Sequence, residues 1–255
     1  VYLTAGVDFL TDSSESEQTV KEQIDAALDQ IVEYKMNSVV IDPVVGSRVI
    51  YETESFPSSA ASFDVLDYLI EACRERSLYV YVLFDVMYEQ DDGEMREVGV
   101  FTSDTLDFIT QAARNLGEHY AVDGIILDSY YYPETSQSYQ DYLLYGGGIG
   151  YENYLTSVSE IAVETVSDAL HQYAKGTQVG LLTDAVWENS SQNTKGSETS
   201  AEFTVYGDGN ADTREFIRDG MLDFVMVKNY GSLEDPNADF LTVVEWWASI
   251  TSQYD

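Results

Sequence analysis

The sequence predicts an α/β fold, a (β/α)8 barrel of the TIM type, of which about six strand–helix units are legible in this chain of 255 residues. Three observations predict it. Short apolar or β-branched runs alternate with stretches in which apolar residues return every three or four positions, the pattern of strands feeding amphipathic helices. The strands are nearly continuous in hydrophobicity, as in a parallel sheet covered by helices. Strand after strand also ends in an aspartate. In a barrel those ends converge on one mouth, whereas a doubly wound sheet spreads them along a line.

The predicted strands are residues 2–9, 38–44, 79–86, 124–130, 178–186 and 222–229. Between them lie the helical stripes Val20, Ile24, Leu28, Ile31; Leu66, Leu69, Ile70, Cys73; Leu106, Ile109, Ala113, Leu116; and Leu155, Val158, Ala162, Ala169. Cys73 falls on an apolar stripe and reads as a buried thiol without a disulfide partner. The polar stretches 12–16 and 189–200 sit where a strand hands over to a helix, so they read as loops, and residues 1–255 read as one domain. An eight-stranded barrel needs more than six units, so the chain is expected to be C-terminally incomplete, a segment of a longer protein.

Twelve Lys and Arg face 46 Asp and Glu, a net charge of −34. That balance argues against nucleic acid, whose phosphates are bound through released counterions, and against polybasic attachment to anionic lipid. The 44% hydrophobic fraction supports a packed core, so the acids are expected to coat a folded body. No run of 18 apolar residues predicts a membrane span, and no signal peptide is visible.

The strand-ending acids are Asp8, Asp42, Asp85, Asp128 and Asp184. Carboxylates crowded at one mouth repel one another, which raises some pKa values while leaving others low. Glycoside hydrolysis needs such a pair, one proton donor and one ionised carboxylate. Lys228, ending the sixth strand, faces the same mouth as a cation. Tyr130, Tyr131 and Tyr132 before Pro133, with Trp187 and Tyr230 after later strands, offer flat rings suited to sugar faces, and Glu188 is a further acid candidate. The run Asp208, Asn210, Asp212 has Thr213 where a calcium turn needs glycine, and Gly146-Gly147-Gly148 has no lysine for phosphate. His119 and His171 read as surface residues on helices, and Asp212 as a helix cap. No cofactor is implied.

The run Tyr120-Ala121-Val122-Asp123-Gly124-Ile125-Ile126-Leu127-Asp128-Ser129-Tyr130-Tyr131-Tyr132-Pro133 resembles the fourth-strand signature of the family-ten-like bacterial glycosyl hydrolases, which reads Asp-Gly-Ile-His-Phe-Asp-Asp-Tyr-Phe-Tyr-Pro. Ala211-Asp212-Thr213 followed by Gly220-Met221-Leu222-Asp223-Phe224, and the Trp246-Trp247 pair, are similar as well. The resemblance implies a TIM barrel, an extracellular or cell-surface bacterial location, and action on a polysaccharide such as a peptidoglycan glycan strand. Asp128 keeps the first acid of the pattern, whereas Ser129 replaces the second and Ile126 replaces the histidine. The third strand reads Tyr81-Val82-Leu83-Phe84-Asp85 where the family has His-Ala-Trp-Phe-Asn, and Lys228-Asn229 stand in place of Pro-Gln.

The expectation is therefore a glycoside hydrolase with Asp128 as leading carboxylate, Asp85 or Asp184 as its partner, and Asp8, Asp42, Tyr130, Tyr132, Trp187, Glu188, Lys228 and Tyr230 in contact with glycan. Two rivals stay open: a catalytically silent glycan-binding barrel, and a metal-dependent hydrolase holding a cation in the aspartate ring. Beyond the glycan, further domains of the same longer chain are the expected partners.

Overall fold

In the computed structural model, residues 1–12 and 15–254 are described; Ser13 and Ser14 of the predicted 12–16 loop lie outside them. In chain order the elements are β1 (Tyr2–Thr4), α1 (Glu17–Glu33), β2 (Ser38–Asp42), β3 (Val44–Val45), β4 (Arg48–Val49), α2 (Val65–Glu75), β5 (Tyr79–Asp85), β6 (Tyr88–Asp91), β7 (Glu94–Glu97), α3 (Ser103–His119), β8 (Gly124–Asp128), α4 (Ser136–Tyr145), α5 (Tyr151–Tyr173), β9 (Gln178–Asp184), α6 (Thr213–Arg218), β10 (Phe224–Lys228) and α7 (Phe240–Thr251). Six strands make one all-parallel sheet in the order β1-β2-β5-β8-β9-β10, which is their order along the chain.

That sheet is curled. The Tyr2 hydroxyl on β1 meets Met226 Sδ on β10 at 3.1 Å, although these strands are its two edges. A flat sheet would hold them five strand spacings apart, about 24 Å, beyond the reach of two side chains. Alternation then separates two faces. Val39, Ile41, Val80, Val82, Phe84, Ile125, Leu127, Val179 and Leu181 point outward into one core with the helices, while Val40, Leu83, Ile126 and Leu182 point inward and pack with Tyr81, Phe224 and Met226. The arrangement is a parallel half-barrel sheet, consistent with a partial (β/α) barrel.

The helices bury the predicted stripes: Val20, Ile24, Leu28 and Ile31 on α1, Leu66, Leu69, Ile70 and Cys73 on α2, Ile109, Ala113 and Leu116 on α3, and Leu155, Val158, Ala162 and Ala169 on α5. Each start has a local cause. Ser16, Asp64, Thr102, Asp212 and Asp239 accept a backbone N–H from the first turn of α1, α2, α3, α6 and α7. Burial pushes the Cys73 thiol up to about 12, so it stays protonated and inert.

Three elements differ from the expectation. The first strand ends at Thr4, because Val7 and Asp8 return their N–H groups to the Thr4 carbonyl and the Asp8 carboxylate accepts the Thr4 N–H at 2.8 Å. Pro43, which has no N–H to donate, closes the second strand, and Val44 enters the hairpin β3–β4 instead. After β5 an unexpected hairpin, β6–β7, turns on Asp92-Gly93, both at positive φ (49° and 78°) as a tight hairpin turn requires.

Thr4 thus spends both backbone groups locally at one edge of the sheet. At the other edge, Asp223 donates to Val179 on β9, so by alternation Phe224, Met226 and Lys228 aim their backbone groups away from β9. Alongside lies an apolar groove of about 540 Å3 between β10 and α7, lined by Phe224, Val225, Val227, Phe240, Val243 and Trp247.

Inside the curl, two glycines make room for two rings. A Cβ on Gly124 would lie 2.6 Å from the Tyr81 ring, and one on Gly180 would lie 2.2 Å from Phe224; the rings meet edge to face at 5.7 Å. Gly180→Ala is therefore expected to lower stability by about 1–3 kcal/mol, read by urea unfolding. Adding Phe224→Leu should recover part of that loss; equal additive losses would show that the ring is not what Gly180 accommodates.

Candidate active site

Asp42, Asp85 and Asp128 end three adjacent strands, β2, β5 and β8, and each lies two residues beyond an inward residue of its strand (Val40, Leu83, Ile126). Period-two alternation turns all three carboxylates into the curl. Asp85 and Asp128 are register partners, so their backbones start one strand spacing apart, about 4.8 Å. Pairing like charges on neighbouring strands is unfavourable, and each acid receives a different compensation.

Burial is the main force on Asp85 and pushes its carboxyl up to about 6; Asp128 and Asp42 add to the rise, while the Ser129 hydroxyl, donating at 2.7 Å, and Lys228 oppose it. Asp128 instead accepts the Ser129 N–H at 2.8 Å and lies 3.4 Å from Lys228 Nζ. Asp42 is raised by burial and, more weakly, by Asp128, against a donated Val44 N–H. Tyr2 is pushed up to about 12 by burial, then by Tyr230 and Asp128. The phenols of Tyr51 and Tyr88 are raised by burial first and by Asp85 next. One site thus holds a carboxyl that is half protonated near pH 6 beside one with a cation in contact.

Asp184 stands apart from this trio. Its strand places Leu181 opposite Leu127, so Asp184 lies further toward the outside of the mouth than Asp128, and it accepts the Tyr131 hydroxyl at 2.8 Å. Lys228 is its register partner yet reaches to Asp128. Asp8 is exposed and serves the turn after β1. Tyr230, 89% exposed, projects near Tyr2.

The remaining candidates are engaged in packing. Tyr130 is 1% exposed, its ring against Tyr131 and Phe216, and the buried Tyr132 donates its hydroxyl to Asp141. Trp187 is also 1% exposed, stacked between Tyr206 and Trp246 with the Arg214 guanidinium 4.9 Å from its ring centre and its Nε1–H on Asp212. Neither face of that indole is open to a sugar. Glu188 is buried in its own loop, where it accepts the Asn189 N–H at 2.7 Å.

Sequence reading passed over Tyr2 and, as a contributor, Ser129, and it named Tyr131 as a ring without foreseeing its bond to Asp184. Tyr2 was detectable, since it shares parity with Thr4 at the end of β1; Ser129 was visible only as a departure from a pattern. A cavity of about 280 Å3 opens beside the trio, lined by Met87, Tyr88, Glu97, Val98, Ser129 and Tyr131 among others. A larger one, about 780 Å3, lies at the opposite end of the strands around Tyr79, Asp123 and Thr177, away from the carboxylates. Among the described residues, the acids whose oxygens gather closely enough to share a cation are Glu160, Glu215 and Asp219 on and after α5 and α6, not the aspartates of the mouth; Arg218 already bonds Glu215 and Asp219. No helix of the described residues is long and apolar enough to cross a membrane.

Comparison of folds finds similar solved structures among barrel enzymes. It superposes with a TM-score of 0.61 on an endo-1,4-beta-mannanase from Rhizomucor miehei, at 9% identity over 92% of this chain and 71% of that one. With alpha-L-fucosidase isoenzyme 2 from Paenibacillus thiaminolyticus the TM-score is 0.51, at 15% identity over 71% of this chain and 32% of that one. At these identities the likeness is one of fold. By sequence, the chain is 27% identical over 149 residues to the glycosyl hydrolase DigH of Escherichia coli K12, covering 56% of this chain and 34% of that protein. It is 22% identical to the glycosyl hydrolase YngK of Bacillus subtilis 168, covering 95% of this chain and 55% of that protein. The chain therefore spans about a third to a half of these relatives' lengths. No protein-family profile matches it. The likeness is glycoside-hydrolase-like in the broad sense.

Asp85 makes the site's electrostatics measurable. Its carboxyl is raised in the fold from an ordinary value near 4, so the native state holds a proton that the unfolded chain releases, and charging it above about pH 6 opposes folding. Asp85→Asn should stabilise the protein at pH 7.5 by about 1–3 kcal/mol, and that gain should vanish at pH 4, in paired urea titrations. A gain of equal size at both pH values would contradict the assignment.

Proposed function

We propose that this chain is the carboxylate-bearing part of a glycoside hydrolase, with Asp85 as proton donor and Asp128 as the ionised partner. The observation that supports it most is the register pair: two aspartates on neighbouring strands, one raised to about 6 by burial, the other in contact with Lys228 and a backbone N–H. Asp85 gives its proton to the glycosidic oxygen as the bond to the leaving sugar breaks. Asp128 stabilises, or bonds to, the anomeric carbon as positive charge develops there. The single strand spacing favours the short carboxyl separation of retaining enzymes, about 5–5.5 Å, over the 6.5–9.5 Å of inverting ones. Water then completes the reaction with Asp85 acting as base.

The substrate class in this reading is an extracellular bacterial polysaccharide, a cell-wall glycan such as peptidoglycan strands included, met at the cell surface or outside the cell. The resemblance of the fourth strand supports it, and the names of the relatives support glycosyl hydrolysis in general. A net charge of −34 suits an uncharged partner and argues against nucleic acid. Residues 1–255 are read as one domain belonging to an eight-unit barrel.

A second reading, a glycan-binding barrel that does not cut, is favoured by one observation. Ile126, where the resembling pattern has histidine, is fully buried in the inner cluster and brings no polar group to the mouth. Release of reducing ends from a polysaccharide panel that includes purified peptidoglycan glycans decides between them. Hydrolysis is expected to fall at least about 100-fold in Asp128→Asn and in Asp85→Asn, with the unsubstituted rate declining as pH rises through about 6. Glycan retained in a pull-down without any cleavage would select the binding module.

A further inference from the structure

We propose that Ser129 is a positioning residue that ties the two candidate catalytic carboxylates together, its hydroxyl holding Asp85 and its backbone N–H holding Asp128. The role given to those aspartates rests on the hydrolase reading above; the contacts do not. Ser129 donates from Oγ to Asp85 Oδ1 at 2.7 Å and from its N–H to Asp128 Oδ1 at 2.8 Å. Its carbonyl accepts the Met87 N–H at 3.0 Å, one residue after the Asp128 carbonyl accepts that of Val86. The ends of β5 and β8 are thereby laced together beyond the last pair of their ladder.

The backbone reinforces this inference. Ser129 has φ +49°, a left-handed conformation that residues other than Gly, Asn and Asp adopt infrequently and at a cost. A strained residue of this kind persists where its surroundings fix it, and here all three of its hydrogen-bonding groups are engaged. Ser129 also lines the cavity of about 280 Å3 with Tyr88 and Tyr131, which brings the residue bonded to both acids to the wall of that cavity although the acids themselves do not line it.

The other groups facing Asp85 leave this task to Ser129. Asp128 on β8 and Asp42 on β2 repel the charged form, and the phenols of Tyr51 and Tyr88 carry no positive charge. Lys228 on β10 is attractive but its ammonium is bonded to Asp128. A hydroxyl donating to a carboxylate favours the ionised form, so its removal raises the carboxyl's midpoint.

The test follows the Asp85 carboxyl by carbon-13 NMR during a pH titration of the whole chain, unsubstituted and as Ser129→Ala, Ser129→Gly and Ser129→Asn. Ser129→Gly suits the left-handed backbone, so the readout survives if Ser129→Ala does not fold; Ser129→Asn also tolerates that backbone and keeps a donor. The expected result is an upward move of the Asp85 midpoint by about one pH unit in the Ala and Gly variants and little movement in the Asn variant. An unmoved midpoint in Ser129→Gly overturns the inference. The same variants assayed on glycan should move the declining limb of the pH–rate profile upward in step with the NMR midpoint. If the unsubstituted chain cuts no glycan while the NMR midpoint moves, the hydrolase reading fails and the Ser129 assignment stands.

Discussion

A parallel ladder that pairs Asp85 with Asp128 sets two like charges side by side in a curled, partly dry interior, and the surrounding structure responds to that juxtaposition. In water the repulsion would be slight; at the end of a half-barrel it adds to burial, which is the larger force raising Asp85. The fold answers asymmetrically. Asp85 receives burial and one hydroxyl, while Asp128 receives a cation and a backbone N–H. The same asymmetry that would suit the pair to the proposed roles of acid and counter-charge makes it unfavourable for stability, a common state of affairs where function and packing compete.

The curl itself depends on interior volume. Bulky Tyr81 and Phe224 occupy the lower barrel because Gly124 and Gly180 lie opposite them, and the layer above is filled by Val40, Leu83, Ile126 and Leu182. Only above that layer do polar side chains take over. The acids therefore sit on an apolar floor that keeps water from approaching from below, and this floor is the source of the desolvation felt by Asp85 and Asp42.

Much of this was legible before any coordinates, for reasons that can be named. The six strands, the four helical stripes and the inward set Asp42, Asp85 and Asp128 follow from periodicity, which is a local property of the chain. What periodicity does not report is depth. Asp184 shares the parity of the others, yet register places it above Asp128, within reach of Tyr131. Trp187, Tyr130 and Tyr132 stand in sequence where sugar platforms would stand, but Trp246 and Phe216, remote in the chain, and Asp141, on the next helix, cover them or claim their polar groups. The hairpin β6–β7 has a readable turn in Asp92-Gly93, but its charged flanks lack the apolar alternation by which the other strands are found.

The sheet's two rims are unequal. At Thr4, a turn and the Asp8 carboxylate consume both backbone groups, whereas at β10 the backbone groups of Phe224, Met226 and Lys228 face away from β9 beside an apolar furrow. Because Lys228 also lies 3.4 Å from Asp128, the strand that forms the open rim is the one that carries the cation balancing the acids.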